Sequence, residues 1–81
     1  MRIDKYLKTS RIIKRRTIAK EACDSGRVLI GGRPAKAGSE VGIGDEVVIL
    51  FGSGQMKVRV LELHESLKKE DAVKMYEVIN Q

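Results

Sequence analysis

Four cations fall between positions 11 and 16 (Arg11, Lys14, Arg15 and Arg16), and Lys20 follows one helical turn after Arg16. Arginine presents paired donors that fit phosphate oxygens, and lysine a mobile point charge, so this density of both points to polyphosphate. A helix N-terminus attracts the same ligand through free N–H groups and the positive end of its dipole. Cations placed there oppose that dipole. A helix opening on Lys14-Arg15-Arg16 accepts this cost, and an anionic partner is the explanation that offsets it. Arg2 and Lys5 add two more cations near the start of the chain.

No other chemistry is assembled in the sequence. A single cysteine, Cys23, excludes an internal disulfide and a cysteine-built zinc site. The one histidine, His64, has Glu62 and Glu65 beside it but no nucleophile set in a motif. The glycines form no phosphate loop ending in Lys-Ser/Thr. The carboxylates of the C-terminal half lie among turns and lysines without a tuned pair. No enzyme activity, metal or cofactor is expected. Tyr6, Phe51 and Tyr76 are the only aromatics, too few for a base-stacking platform. Recognition should therefore read shape and backbone, as for structured RNA.

At 81 residues there is room for one domain with a modest core. Its charge is segregated: residues 1–36 hold eleven Lys/Arg against three acids, a net of +8. Residues 37–81 hold five against eight, a net of −3. A solvated charged surface would also be basic in places, but a basic lobe joined to a mildly acidic one is the footprint of a protein that docks one face on nucleic acid. No apolar run is long enough to span a bilayer and no leader-like segment opens the chain, so no membrane partner and a cytoplasmic location are expected.

The elements that must position these cations can be read from periodicity. Ile3, Tyr6 and Leu7 have the spacing of a short amphipathic helix. Ile18, Ala19, Ala22 and Cys23 share a face of a second helix over roughly 15–25, which Gly26 ends. Arg16 and Lys20 border that face and are placed to lean over the junction with the first helix, beside Arg2 and Lys5. Strand-like runs follow. Arg27–Ile30 returns through Gly31-Gly32 to Arg33–Lys36, with Pro34 at an edge. Glu46–Phe51 reads as a strand buried on both faces. Met56–Val60 alternates, with Lys57 and Arg59 facing water. Ala72, Met75, Tyr76 and Ile79 predict a short C-terminal helix packed on the sheet. The expected class is α+β: two N-terminal helices, a small antiparallel sheet and a short C-terminal helix.

Arg2-Ile3-Asp4-Lys5-Tyr6-Leu7, Lys14-Arg15-Arg16-Thr17-Ile18-Ala19-Lys20-Glu21, Gly26 through Gly32, Lys36 and Gly44-Asp45 together resemble the S-four RNA-binding domain, defined in a small-subunit ribosomal protein. The likeness covers about residues 1–50. The second hairpin at 46–62 and the terminal Glu70–Tyr76 stretch narrow it to the fifteen-kilodalton heat-shock protein family, in particular its small ribosome-quality-control branch. The resemblance implies an RNA-binding domain over 1–62 and a helical extension over 63–81. Carried over by position, it implies RNA contacts at Arg2, Asp4, Lys5, Lys14, Arg15, Arg16 and Lys20, with help from the loop bearing Arg33 and Lys36. The basic run itself adds Arg11. Two departures stand out. Arg15 occupies the position where the common pattern has Ser, which removes a side-chain N-cap, and Gly31-Gly32 replaces Asn-Gly.

In that branch the domain binds large-subunit ribosomal RNA after the subunits split, with peptidyl-tRNA still attached. The implied function is stabilisation of P-site peptidyl-tRNA while RqcH, on the same subunit, brings alanine-charged tRNA. The resulting alanine tails mark stalled chains for degradation. A monomer off the ribosome is expected. The alternatives are a heat-shock factor that recycles stalled large subunits without tailing, the RNA-binding module of an RNA-modifying enzyme, and a DNA-binding helix-turn-helix. The strand directly after Gly26 disfavours the last, which needs a recognition helix there.

Overall fold

A computed structural model describes residues 1–65 and 68–79 of the chain. Helices α1 (Ile3–Thr9) and α2 (Arg16–Asp24) lead into a five-stranded antiparallel sheet. Its strands are β1 (Val28–Ile30), β2 (Arg33–Pro34), β3 (Glu46–Phe51), β4 (Gly54–Val60) and β5 (Tyr76–Val78), in spatial order β2-β1-β3-β4-β5. The α+β class and the two opening helices are as the sequence pattern predicts.

One face of the sheet carries the core. Val28, Val47, Ile49, Val58 and Val60 are buried there against Ile3, Tyr6 and Leu7 of α1 and Ala19, Ala22 and Cys23 of α2. Burying side chains of this size contributes about 1.5–3 kcal/mol each for the larger aliphatics, which sets the helices firmly on the sheet. The Cys23 thiol is among them, and burial, with the charges of Asp4 and Asp24, pushes its pKa up to about 11. It is a packing residue.

The connection from α2 to β1 is a Schellman turn. Gly26 takes φ +81°, its N–H donates to the Cys23 carbonyl at 3.0 Å, and the Arg27 N–H donates to the Ala22 carbonyl at 2.9 Å. The β1–β2 hairpin turns through Gly31 and Gly32, both at positive φ, with Ile30 opposite Arg33. That is the mirror-image two-residue turn whose twist suits antiparallel strands. Pro34 sits on the edge strand, where its missing N–H leaves no gap in the ladder.

Two expectations are corrected in detail. Strand β3 is not buried on both faces: Val47 and Ile49 are, but Val48 and Leu50 are only half-buried on the opposite side. That side also carries the ion-paired Glu46, Lys57, Arg59 and Glu77. The short C-terminal helix is a 3-10 helix over Lys69–Met75, and it stops before Tyr76. Tyr76 opens β5 instead, pairing with Val60, because the free edge of β4 offers a ladder to the β-prone Tyr76-Glu77-Val78. Ala72 and Met75 are still buried, as the helical spacing required. Positions 66–67 and 80–81 of the 63–81 extension lie outside the described residues.

Candidate nucleic-acid interface

The junction of the two helices is organised by a buried carboxylate. Asp4 stands in the first turn of α1, and its side chain is 2% exposed. The Arg2 guanidinium grips it with two arms, Nε to Oδ1 at 3.2 Å and Nη2 to Oδ2 at 3.1 Å. The Lys5 backbone N–H donates to Oδ1 at 2.8 Å. Arg16, the first residue of α2, reaches the same Oδ1 through Nη2 at 3.5 Å. Desolvation would raise the Asp4 pKa, but the Arg2 hydrogen bond, the Lys5 amide and the charges of Arg16 and Arg2 outweigh it and hold the carboxyl below its ordinary value.

This geometry gives one anion two cations, each about half exposed. Asp4 satisfies the inner edges of the guanidinium groups and leaves outer N–H donors toward water, since each guanidinium has five. The pair is thereby fixed in position without being neutralised. Arg2 is oriented by its two arms and Arg16 by a single longer contact, an arrangement that can present both guanidinium groups to a phosphate. Asp4, expected among the RNA contacts, is buried and faces the two arginines instead.

The helix starts differ in what they leave open. At α1 the amides of Ile3 and Asp4 donate to the carbonyls of Ser39 and Ala37, at 2.8 and 3.3 Å. That end is closed by protein, and the same contacts bring the Lys36 loop to the start of α1. The backbone of Arg2 also pairs with that of Glu40 in an isolated β-bridge, and its guanidinium lies near Gly38. At α2 the N-cap is Arg15, in extended conformation with no side-chain cap. The missing serine of the common pattern thus leaves the N-terminus of α2 open to an external acceptor.

The remaining cations fall around this centre in distinct settings. Lys14 and Arg15 are exposed ahead of α2, and Arg33 and Lys36 are exposed on β2 and in the loop after it. The Lys5 ammonium pairs with Glu65, which draws the Glu65 carboxyl below its ordinary value. Arg11 follows the end of α1 at φ +63°, in the left-handed region where a glycine is the usual residue. Lys20 is not drawn to Asp4. It lines an open groove of about 610 Å³ on the outer flank of α2, whose walls include none of Arg2, Asp4 and Arg16.

That groove brings in Arg27, which the sequence reading passed over. The signal for it was present: a Schellman turn folds the residue after the glycine back against the last helical turn, so Ser25-Gly26-Arg27 returns Arg27 to α2. Among the described residues no cluster of His, Cys, Asp and Glu could hold a metal ion, and no helix is long and apolar enough to cross a membrane. His64 meets Glu62, Nε2 to Oε1 at 2.6 Å, on the surface.

Comparison with known proteins matches both the N-terminal half that carries this cluster and the whole chain. The model of the S4 domain matches residues 1–47. A Streptococcus pneumoniae protein named RQC P-site tRNA stabilizing factor is 53% identical over 81 residues, covering 100% of this chain and 92% of its own length. A Bacillus subtilis protein of the same name is 51% identical, with 100% and 94% covered. The Heat shock protein 15 homolog of Aeromonas salmonicida is 32% identical over 68 residues, 84% of this chain and 52% of its own. Among solved structures, trimeric Vibrio cholerae Heat Shock Protein 15 superposes with a TM-score of 0.89 at 24% identity, covering 98% of this chain and 81% of that one. A hypothetical protein solved in solution superposes at 0.84 with 29% identity, covering 100% and 99%.

Proposed function

Since this chain belongs to the S4 domain family, we propose that it is a non-enzymatic RNA-binding factor of ribosome-associated quality control. It docks on the split large ribosomal subunit, contacts ribosomal RNA and stabilises peptidyl-tRNA in the P site. Acting with RqcH on the same subunit, it supports addition of alanine tails that target stalled chains for degradation. In this reading residues 1–62 are the RNA-binding domain and 63–81 its extension, and the Tyr6 hydroxyl donates to the Met75 carbonyl between them at 2.7 Å.

The observation that carries this reading is the Arg2–Asp4–Arg16 cluster within a lobe of net charge +8. Two half-exposed guanidinium groups gathered on one buried carboxylate suit a phosphate of the RNA backbone. Around it, Arg11, Lys14, Arg15, Lys20, Arg33 and Lys36 extend the field that draws RNA in. The names of the relatives that share half their residues with this chain supply the particular RNA.

The test is gradient sedimentation of lysates with stalled ribosomes. The protein should travel with large subunits that carry peptidyl-tRNA, in the fractions that hold RqcH, as a monomer when released. Its absence from those fractions, with the folded protein left at the top of the gradient, overturns the reading. The likeness to a Heat shock protein 15 homolog favours a second reading, recycling of stalled large subunits without tailing. Deleting the protein and sequencing the C-termini of stalled chains separates the two: alanine tails vanish under the first and persist under the second.

A further inference from the structure

The groove on the outer flank of α2 is lined by Thr17, Lys20, Glu21, Asp24, Ser25 and Arg27. Thr17, Lys20, Glu21 and Asp24 recur at three- and four-residue intervals and so share one helical face. The Schellman turn brings Arg27 back to the same groove. Within it Arg27 is tethered at one point: its Nε–H donates to Ser25 Oγ at 2.9 Å, and that hydroxyl donates in turn to the Ala22 carbonyl at 3.1 Å. One of the five guanidinium donors is used, which leaves the two terminal nitrogens for a ligand. Although Glu21 and Asp24 line the same groove, Arg27 forms no ion pair with either. Asp24 is engaged elsewhere, accepting the Ala37 N–H at 3.2 Å, which ties α2 to the loop after β2.

We propose that this groove is a second RNA site, distinct from the arginine cluster at the helix junction, that takes one nucleotide of an unpaired RNA segment. The inference rests on the RNA-binding function proposed above. Arg27 and Lys20 take the phosphodiester, Arg27 through a fork whose direction Ser25 sets. Glu21, exposed on the same wall, accepts a hydrogen bond from the ribose 2′-hydroxyl, the group that separates RNA from DNA. A volume of about 610 Å³ offers room for one nucleotide. The mixed walls, two cations with two carboxylates, suit a nucleotide that brings both an anion and several donors. They do not suit a run of phosphates or an acidic peptide, which the carboxylates would repel.

The experiment measures fluorescence anisotropy of labelled hexauridylate and its deoxy counterpart with the full chain, alongside sedimentation with large subunits. The parent should bind the ribo-oligomer at least fivefold more tightly than the deoxy-oligomer. Arg27→Ala should lose about tenfold, whereas Lys8→Ala, an equal charge loss outside the groove, should lose less than twofold. Ser25→Ala leaves the charge unchanged but frees the guanidinium, and should lose about threefold. Circular dichroism melting establishes that each variant is folded. A folded Arg27→Ala or Ser25→Ala protein that binds hexauridylate like the parent overturns the second site, as does displacement by poly-aspartate more readily than by RNA. If the parent binds neither large subunits nor hexauridylate, the RNA-binding function itself falls. If it binds large subunits but not hexauridylate, only the groove proposal does.

Discussion

Arg2 and Asp4, two residues apart in sequence, meet in a two-armed ion pair of 3.2 and 3.1 Å in which the carboxylate is buried and the guanidinium half exposed. The asymmetry determines what each side chain can do. Asp4 has no water to fall back on, so it must keep its arginines, whereas Arg2 can turn its free edge to a ligand. Asp4→Asn keeps the volume, removes the charge and leaves two cations unmatched. Because those cations are half in water, the fold should lose about 2 kcal/mol, in the range for hydrogen bonds to a charged group, and stay folded. RNA affinity should fall as the arginines lose their fixed geometry, even though the protein becomes more positive. Melting curves and subunit binding on one preparation check both.

The same carboxyl makes stability depend on acid. Its folded pKa lies below its ordinary value of 3.8, so its contribution is complete above that value and is lost as pH falls through the lower folded one. The gap in Tm between the parent and Asp4→Asn should hold from neutrality down to about pH 5. It should then close as pH falls below 3.8 toward the folded pKa. A gap unchanged at pH 3 would mean that the charge of Asp4 contributes nothing.

Arg16→Ala should weaken binding to large subunits by about 1.5–3 kcal/mol, the range for a hydrogen bond to a charged group. Its bond to Asp4 is at 3.5 Å, the long end for a hydrogen bond, and alanine suits a helix start at least as well. The fold should hardly change. Lysine should restore only part of the loss, because an ammonium lacks the fork. Co-sedimentation of each folded variant decides it.

Arg11 gives a prediction of opposite signs. Its left-handed φ of +63° costs an L-residue about 1–2 kcal/mol, which glycine would avoid at some expense in unfolded-state entropy. Arg11→Gly should raise stability by about 0.5–1 kcal/mol net and lower RNA affinity. Urea melts and binding on the same variant read both, and a loss of stability would show that the arginine side chain is structural.

The arginine cluster and its surrounding cations should make binding steeply salt dependent, with about four to six phosphates neutralised and a log–log slope of about three to five. Lys57→Ala and Arg59→Ala should leave that slope nearly unchanged. Both lie on the far side of the sheet in a network with Glu46 and Glu77, at 3.1–3.5 Å. Titration of structured RNA binding between low and moderate salt provides the measurement.

The sequence was most legible where geometry is set locally. Gly26 at the end of α2 and Gly31-Gly32 in the hairpin are dictated by neighbouring residues, and both stand where the pattern puts them. So does the meeting of Arg2 and Arg16, because the apolar stripes of α1 and α2 fix how their starts face. Non-local pairings were not legible. Tyr76 fits a helical spacing as well as a strand, and only the vacant edge of β4 selects the strand. Glu65 finds Lys5 from 60 residues away, which no local pattern encodes. Val48 and Leu50 look like core in an apolar run, yet a sheet packed on one side leaves them half-wet.

The bond between the Tyr6 hydroxyl and the Met75 carbonyl also orders events in time. Tyr6 is fully buried in the first helix, and its hydroxyl has no acceptor until a residue 69 positions later exists. At about 5–20 residues per second, synthesis separates the two partners by roughly 3–14 s. Burying Tyr6 in that interval leaves its hydroxyl without this acceptor, at a cost of about 1–3 kcal/mol. The segment that brings Met75 therefore completes the seat of α1, and with it the helix junction where Arg2 and Arg16 meet Asp4.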